Sequence, residues 1–214
     1  LGVGYDSSNT RIILAGITDS GLWRKAGSTW SQINTGTYTG TDLNYGFFCW
    51  EGGDGPRVYA ISDGANGGVW RSNDAGLTWT KIHNAKSSYD PYETIALDPV
   101  NTNYLYVSDN NNVYRISNAK TSTSVADSTV ITMSPPNARS IAISPQGWLF
   151  VHDSTGKLWR SLNPRAAGQP TFTVVSDTYY TTVSKTIRTL AVGSDGYIYT
   201  GDVGKGAAVG KPQY

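Results

Sequence analysis

Gly68-Val69-Trp70-Arg71-Ser72-Asn73-Asp74-Ala75-Gly76-Leu77-Thr78-Trp79 decides the fold, because its first half returns three more times along the chain. Gly21-Leu22-Trp23-Arg24-Lys25, Asn112-Val113-Tyr114-Arg115-Ile116 and Lys157-Leu158-Trp159-Arg160-Ser161 repeat its apolar, aromatic, Arg core, and the four aromatics are spaced 47, 44 and 45 residues apart. A second series lies just upstream of each: Ile12 to Thr18, Val58 to Asp63, Leu105 to Asp109, Leu149 to Asp153, and Ile198 to Asp202. The last four end in Asp at separations of 46, 44 and 49. A third series precedes those, as Thr94-Ile95-Ala96-Leu97, Ser140-Ile141-Ala142-Ile143 and Thr189-Leu190-Ala191-Val192, with Leu1 to Tyr5 and Tyr45 to Trp50 as looser members. A fourth follows the Arg segments: Thr29 to Ile33, Thr78 to Ile82, Thr129 to Ile131 and Thr171 to Val174.

Each run clusters Val, Ile, Tyr, Trp and Thr and is bounded by Gly, Asn, Asp or Pro, which is the pattern of short strands. No stretch carries a convincing helical period. Four strands recurring about every 45 residues predict an all-β chain, a β-propeller of about five four-stranded blades, because blades set radially leave only short protected edges. One blade cannot bury both of its faces, so the repeated aromatics are expected between neighbours. The expected blades of a single domain over residues 1–214 are approximately 1–40, 41–88, 89–135, 136–183 and 184–214. The last is incomplete: it runs to Asp202, has Gly206 to Lys211 as a third strand, and lacks a fourth. Leu1 to Tyr5 reads as the inner strand of blade one and offers no spare outer strand. The expectation is a five-bladed ring with an imperfect last blade, or a piece of a larger propeller.

Bulk properties narrow the function classes. The 17 Lys and Arg against 16 Asp and Glu give a formal charge of +1, so no strong field steers polyanions, and nucleic acid is not expected as a partner. The longest apolar stretch, Ile12 to Ile17, is far short of the ~20 residues of a membrane helix, and no membrane insertion is expected. Gly (24), Tyr (14) and Trp (7) outweigh one Met and one Cys, which suits short strands joined by tight turns. Cys49, flanked by Phe47, Phe48 and Trp50, reads as a buried small hydrophobe rather than a reactive thiol. His83 and His152 with that Cys make no zinc set, and neither a metal nor a cofactor is expected. Gly204 to Lys211 resembles a phosphate loop only superficially, since Pro212 stands where Ser or Thr is needed. There is neither an initiator Met nor a signal-peptide pattern, so a processed form, an excised piece or part of a longer chain is expected. The Tyr, Trp, Thr and Asn content leans towards an extracellular or cell-surface setting.

Ser72-Asn73-Asp74-Ala75-Gly76-Leu77-Thr78-Trp79 fits S-x-D-x-G-x-T-W at every fixed position. In such a turn Asp74 accepts backbone N–H groups, Gly76 supplies a positive φ and Trp79 anchors the hairpin, so Ser72, Asp74, Gly76, Thr78 and Trp79 are expected to be structural. Blade one keeps only Gly27-Ser28-Thr29-Trp30, and blades three and four have lost the Asp and Gly. Together with Ile95-Ala96-Leu97-Asp98-Pro99-Val100-Asn101 to Tyr106 and Val69-Trp70-Arg71-Ser72, this box resembles the BNR or Asp-box propeller superfamily, closely in blades two and three. The resemblance implies a propeller fold and a range of roles: sialidases, xyloglucan-active glycoside hydrolases and non-catalytic secreted proteins. Fold transfers from it better than function.

In a four-stranded blade the second-to-third and fourth-to-first loops share the face opposite the Asp-box turn, where ligands usually bind. That face is expected to collect Asp19, Asp63, Asp109, Asp153 and Asp202. Glu93, Arg139 and Arg188 recur just before the inner strand at spacings of 46 and 49. Converging near the axis, they suit a carboxylate or sugar hydroxyls, or form rim ion pairs with the Asp ring. Tyr45, Trp50, Tyr89, Tyr92, Tyr179 and Tyr180 are candidate platforms for pyranose rings, or packing groups. Glycosidases need two carboxyls, one of them protonated. Thr18-Asp19-Ser20-Gly21 and Gly201-Asp202-Val203-Gly204 match the T-D-x-G-G and G-D-x-G-G motifs of the xyloglucan-active enzymes only in part, which makes Asp19 and Asp202 weak catalytic candidates. The R-I-P signature of sialidases is missing. The expected function is a secreted, non-enzymatic module that binds glycans or a partner protein. The alternatives are a segment of a propeller glycoside hydrolase and a structural or adhesion module.

Overall fold

The computed structural model describes residues 1–17, 20–33, 47–51, 55–62, 67–84, 94–109, 111–134, 138–175, 187–202 and 206–210. They form five antiparallel sheets and, among the described residues, no helix. The first sheet holds β1 (Gly2–Tyr5), β2 (Arg11–Ile17), β3 (Gly21–Ala26) and β4 (Thr29–Gln32). The second holds β5 (Phe47–Trp50), β6 (Val58–Ser62), β7 (Gly68–Ser72) and β8 (Thr80–Asn84). The third is β9 (Thr94–Leu97), β10 (Leu105–Ser108), β11 (Val113–Ile116) and β12 (Val130–Met133), and the fourth is β13 (Ala138–Ile143), β14 (Leu149–Asp153), β15 (Leu158–Ser161) and β16 (Thr173–Val174). The fifth has three strands, β17 (Ile187–Val192), β18 (Ile198–Asp202) and β19 (Gly206–Gly210). Each sheet is a meander in which sequential strands pair, as short Gly- and Asn-bounded runs dictate. The first strands lie side by side in sequence order, β1 on β5, β5 on β9, β9 on β13 and β13 on β17.

The core is a series of four layers between neighbouring sheets. Ile12, Leu14 and Leu22 of the first sheet pack on Val58, Ala60, Trp70 and Trp79 of the second. Tyr59, Ile61 and Val69 meet Leu97, Leu105 and Val107; Tyr106 and Val113 meet Ala138, Leu149 and Val151; Phe150 and Leu158 meet Ile198. Period-2 side-chain alternation sends one set of residues of every strand backwards and the other forwards. The equivalent position on each second strand shows the result: Tyr59 and Tyr106 are 0% exposed and Phe150 is 1%, each covered by the following sheet, whereas Tyr199 in the last sheet is 44% exposed. Backwards, Trp79 is 5% exposed under the first sheet, and its counterpart Trp30 in the first sheet is 43% exposed. Where β1 meets β5 the contact is close enough that a Cβ on Gly4 would enter the Trp50 ring, so only glycine fits there.

Polar latches join the same interfaces. In the first three sheets the Arg that follows the third-strand aromatic reaches a carbonyl in the third-to-fourth turn of the next sheet. Arg24 Nε donates to Ala75 O at 2.8 Å, Arg71 Nη1 to Ala119 O at 2.9 Å, and Arg115 Nη1 to Pro164 O and Ala166 O at 2.7 and 2.6 Å. The repeated Trp-Arg pair therefore serves two interfaces, its aromatic facing backwards and its guanidinium forwards.

Candidate functional site

The Ser72–Trp79 turn is a closed network. Asp74 Oδ1 accepts Leu77 N at 3.1 Å, Thr78 N at 2.8 Å and the Ser72 hydroxyl at 2.7 Å, while Oδ2 accepts the Thr78 hydroxyl at 2.6 Å. The Ser72 hydroxyl oxygen accepts Gly76 N at 2.8 Å, and Trp79 Nε1 donates to Gly76 O at 3.1 Å. Gly76 sits at φ 85° with its Cα pressed towards Leu14 of the preceding sheet, where a Cβ would come within 2.6 Å of a methyl group. Burial alone would raise the Asp74 pKa, but these donors outweigh it and hold the carboxyl below its ordinary value. In the third sheet a different acid does the same work from the far end of the turn. Asp127 accepts Thr123 N, Ser124 N and the hydroxyls of Thr123 and Ser122, a clasp that no S-x-D-x-G pattern reveals.

At the opposite end of the sheets, Asp109 and Asp153 close the second-to-third turns. Asp109 Oδ1 accepts Asn111 N and Asn112 N at 2.8 and 2.6 Å, and its Oδ2 accepts the Tyr114 hydroxyl at 2.9 Å. Asp153 accepts Thr155 N, the Thr155 hydroxyl, Lys157 N and, at 2.8 Å, Trp159 Nε1. Burial would raise the Asp153 pKa, and these donors, led by Trp159, bring it below its ordinary value. Both side chains are buried. The recurring Asp thus fastens its own hairpin to the aromatic of the third strand, and in the second sheet Trp70 Nε1 donates to Ser62 Oγ in the same way, at 2.9 Å. Asp19, Asp63, Glu93 and Tyr92 lie outside the described residues, as do Tyr45, Tyr89, Tyr179 and Tyr180. Arg139 and Arg188 share one feature: each is the residue skipped by a register shift, between Ala138 and Ser140 and between Ile187 and Thr189.

Trp50 is placed at the other end of the molecule. It ends β5, where the chain turns towards β6, so it belongs with the first-to-second turns and not with the Asp109 and Asp153 face. There it lines a pocket of about 440 Å³ together with Val3, Gly4, Tyr5, Asp6, Asn9, Glu51 and Gly55. The Tyr5 ring is largely exposed. Asp6 Oδ1 accepts Ser8 N and Thr10 N at 2.9 and 2.8 Å, while Oδ2 has no donor among the described residues. Glu51 is buried and accepts from Arg57 and, at 3.2 Å, from Lys120 of the following sheet. Burial would raise the Glu51 pKa, but donors on Thr102, Arg57 and Lys120 outweigh it and leave the carboxyl below its ordinary value. Asp98 accepts from Arg165 Nη1 at 2.7 Å. Tyr5, Asp6, Glu51 and Asp98 were not singled out by the sequence. The signal was present as an acid in a first-to-second turn followed 69 or 67 residues on by a cation.

No family model and no curated protein matches the sequence. Solved structures do. An ancestral GH74 enzyme aligns over 95% of this chain and 29% of its own at a TM-score of 0.70 and 17% identity. A structure titled as YCF48 bound to D1 peptide aligns over 99% of this chain and 63% of its own, at 0.60 and 14%. A putative gluconolactonase aligns over 99% and 73%, at 0.65 and 18%. Likeness at this identity fixes the fold: the chain is an all-β propeller, with three strands of its last blade among the described residues. It spans less than two thirds of the YCF48 and GH74 chains.

Proposed function

We propose that this chain is a secreted, non-enzymatic module of the Asp-box propeller type, one domain over residues 1–214, that binds a glycan through the Tyr5, Asp6 and Trp50 pocket. The observation that carries the reading is the pairing, in one open cavity, of two aromatic rings with a carboxylate oxygen that has no donor among the described residues. Apolar C–H faces of a sugar stack on such rings while its hydroxyls donate to the carboxylate. Two-carboxyl hydrolysis is disfavoured in this pocket, because Glu51, the second acid, is kept ionised by Arg57 and Lys120 and has no proton to give. Asp109 and Asp153 are committed to their own turns, which moves the proposed surface away from the Asp ring. Arg139 and Arg188, at matching bulges of β13 and β17, stay candidates for binding an acidic group on the same ligand or on a protein partner.

A glycan array followed by calorimetry tests this reading. Tyr5→Ala and Asp6→Asn are expected to weaken binding about tenfold or more each, since a stacked ring or a charged hydrogen bond contributes that much. Binding that survives both changes, or none to any glycan, would overturn the pocket assignment. Turnover of an oligosaccharide that disappears on Asp19→Asn or Asp202→Asn would instead support the hydrolase reading.

A further inference from the structure

Three acids occupy one structural position, the residue that follows the first strand of a blade: Asp6 after β1, Glu51 after β5 and Asp98 after β9. Each closes its turn in the same way, with Asp6 N donating to Thr10 O, Glu51 N to Arg57 O and Asp98 N to Tyr104 O, all at 3.0 Å. At two of the three positions the next blade supplies a cation. Lys120 Nζ donates to Glu51 at 3.2 Å and Arg165 Nη1 to Asp98 at 2.7 Å, and each cation stands four residues beyond the end of its third strand, at Ile116 or Ser161. The residue four beyond the end of β7 is Gly76. It has no side chain to reach Asp6 and none fits, because its φ is 85° and a Cβ would come within 2.6 Å of Leu14. The Ser72–Trp79 turn contains no Lys or Arg, so the network that fixes this turn has displaced the cation that the two following interfaces carry. At this interface lies the pocket of about 440 Å³ lined by Tyr5, Asp6, Trp50 and Glu51. Glu51 is offset by Arg57 and Lys120, and Arg57 also donates through Nε to Asn73 at 2.9 Å. The Asp6 carboxylate has no counter-ion among the described residues that line the cavity.

We infer that the pocket takes a primary ammonium in the place that Lys120 and Arg165 fill at the neighbouring interfaces, and that its bearer is an amino sugar with a free, protonated amine. The inference rests on the glycan reading above and narrows it to one class of sugar. Tyr5 and Trp50 are the last residues of β1 and β5, and the faces of such rings attract cations as well as sugar C–H groups. A pyranose suits the paired rings better than the slender stem of a lysine, since it lays a broad apolar face on them. Its ammonium, one bond off the ring, then donates to Asp6 Oδ2, the oxygen that the turn leaves unused.

Calorimetry with three tetrasaccharides of one linkage tests this, the sugars differing only in the substituent beside the anomeric carbon. That group is ammonium in the glucosamine tetramer, acetamido in its N-acetylated form and hydroxyl in the glucose tetramer. The glucosamine tetramer is expected to bind about tenfold or more tighter than the other two, and to lose that margin as salt is raised. Asp6→Asn keeps the Oδ1 acceptor that closes the turn and is expected to erase the margin. In the wild-type chain, the amide resonances of Ser8 and Thr10, whose N–H groups sit on Asp6, are expected to shift with the amino sugar. Equal affinities for the three sugars, a margin that survives Asp6→Asn, or unmoved Ser8 and Thr10 amides would overturn the ammonium site. In those cases the glycan reading stands as long as Tyr5→Ala weakens binding. Binding of N-acetyl-lysinamide but of no sugar would overturn the amino sugar and the glycan reading together.

Discussion

Asp74 shows how much of this fold hangs on single acceptors. Replacing it with Ala removes the carboxylate that accepts from Leu77 N, Thr78 N and two hydroxyls, and is expected to cost about 1–3 kcal/mol in a urea melt. Its carboxyl and that of Asp153 titrate below their ordinary values in the folded chain. Groups with depressed folded values contribute stability that is complete above the unfolded value of about 3.9 and lost as pH falls through the folded one. The urea midpoint is therefore expected to hold above about pH 5 and to drop below about pH 4, less steeply in Asp74→Asn. Cys49 behaves in the opposite sense. Burial pushes its thiol up to about 11, against the pull of a backbone hydrogen bond at Leu97, so a thiol reagent near neutral pH is expected to label it only after denaturant is added. Fast labelling of the native chain would contradict the packing of β5.

At the scale of elements, the interfaces between blades carry the stability. Arg71→Met removes a buried charged donor from Ala119 O and is expected to cost about 1–3 kcal/mol. Arg160→Met removes two buried donors, Nε and Nη1, that have no acceptor among the described residues, and is expected to be neutral or stabilising by thermal melting. Gly4→Ala drives a Cβ into the Trp50 ring and is expected to cost at least as much as Arg71→Met, by overpacking. These elements were legible in the sequence to different degrees. The third strands of the first four blades could be placed from their apolar, aromatic, Arg core, since one face of each is buried. The outer strands were placed less closely: Thr29 to Ile33 is β4 at Thr29–Gln32, but the expected Thr78 to Ile82 becomes β8 at Thr80–Asn84 because the Asp74 network holds residues 73–79 as a turn. The fourth strand of blade four shrinks to Thr173–Val174.

At the scale of the whole molecule, the period predicted the radial order but not which groups face which solvent. The recurring Asp looked like a ring of ligands, and spacing alone could not reveal that Asp109 and Asp153 are consumed by Tyr114 and Trp159 five and six residues on. Nor could it show that Trp50 lies on the turn face, because that depends on β5 running outwards past two glycines of β1. The inter-blade ion pairs Glu51–Lys120 and Asp98–Arg165 cross more than one period, beyond the reach of local pattern. A nuclear Overhauser spectrum of the isotope-labelled chain tests the radial stacking most directly. Stacking predicts cross-peaks from Leu14 methyls to the Gly76 Hα, from the Gly4 Hα to the Trp50 indole, and from the Tyr106 ring to Leu149 methyls. Their absence, with those groups showing contacts only inside their own sheets, would contradict it.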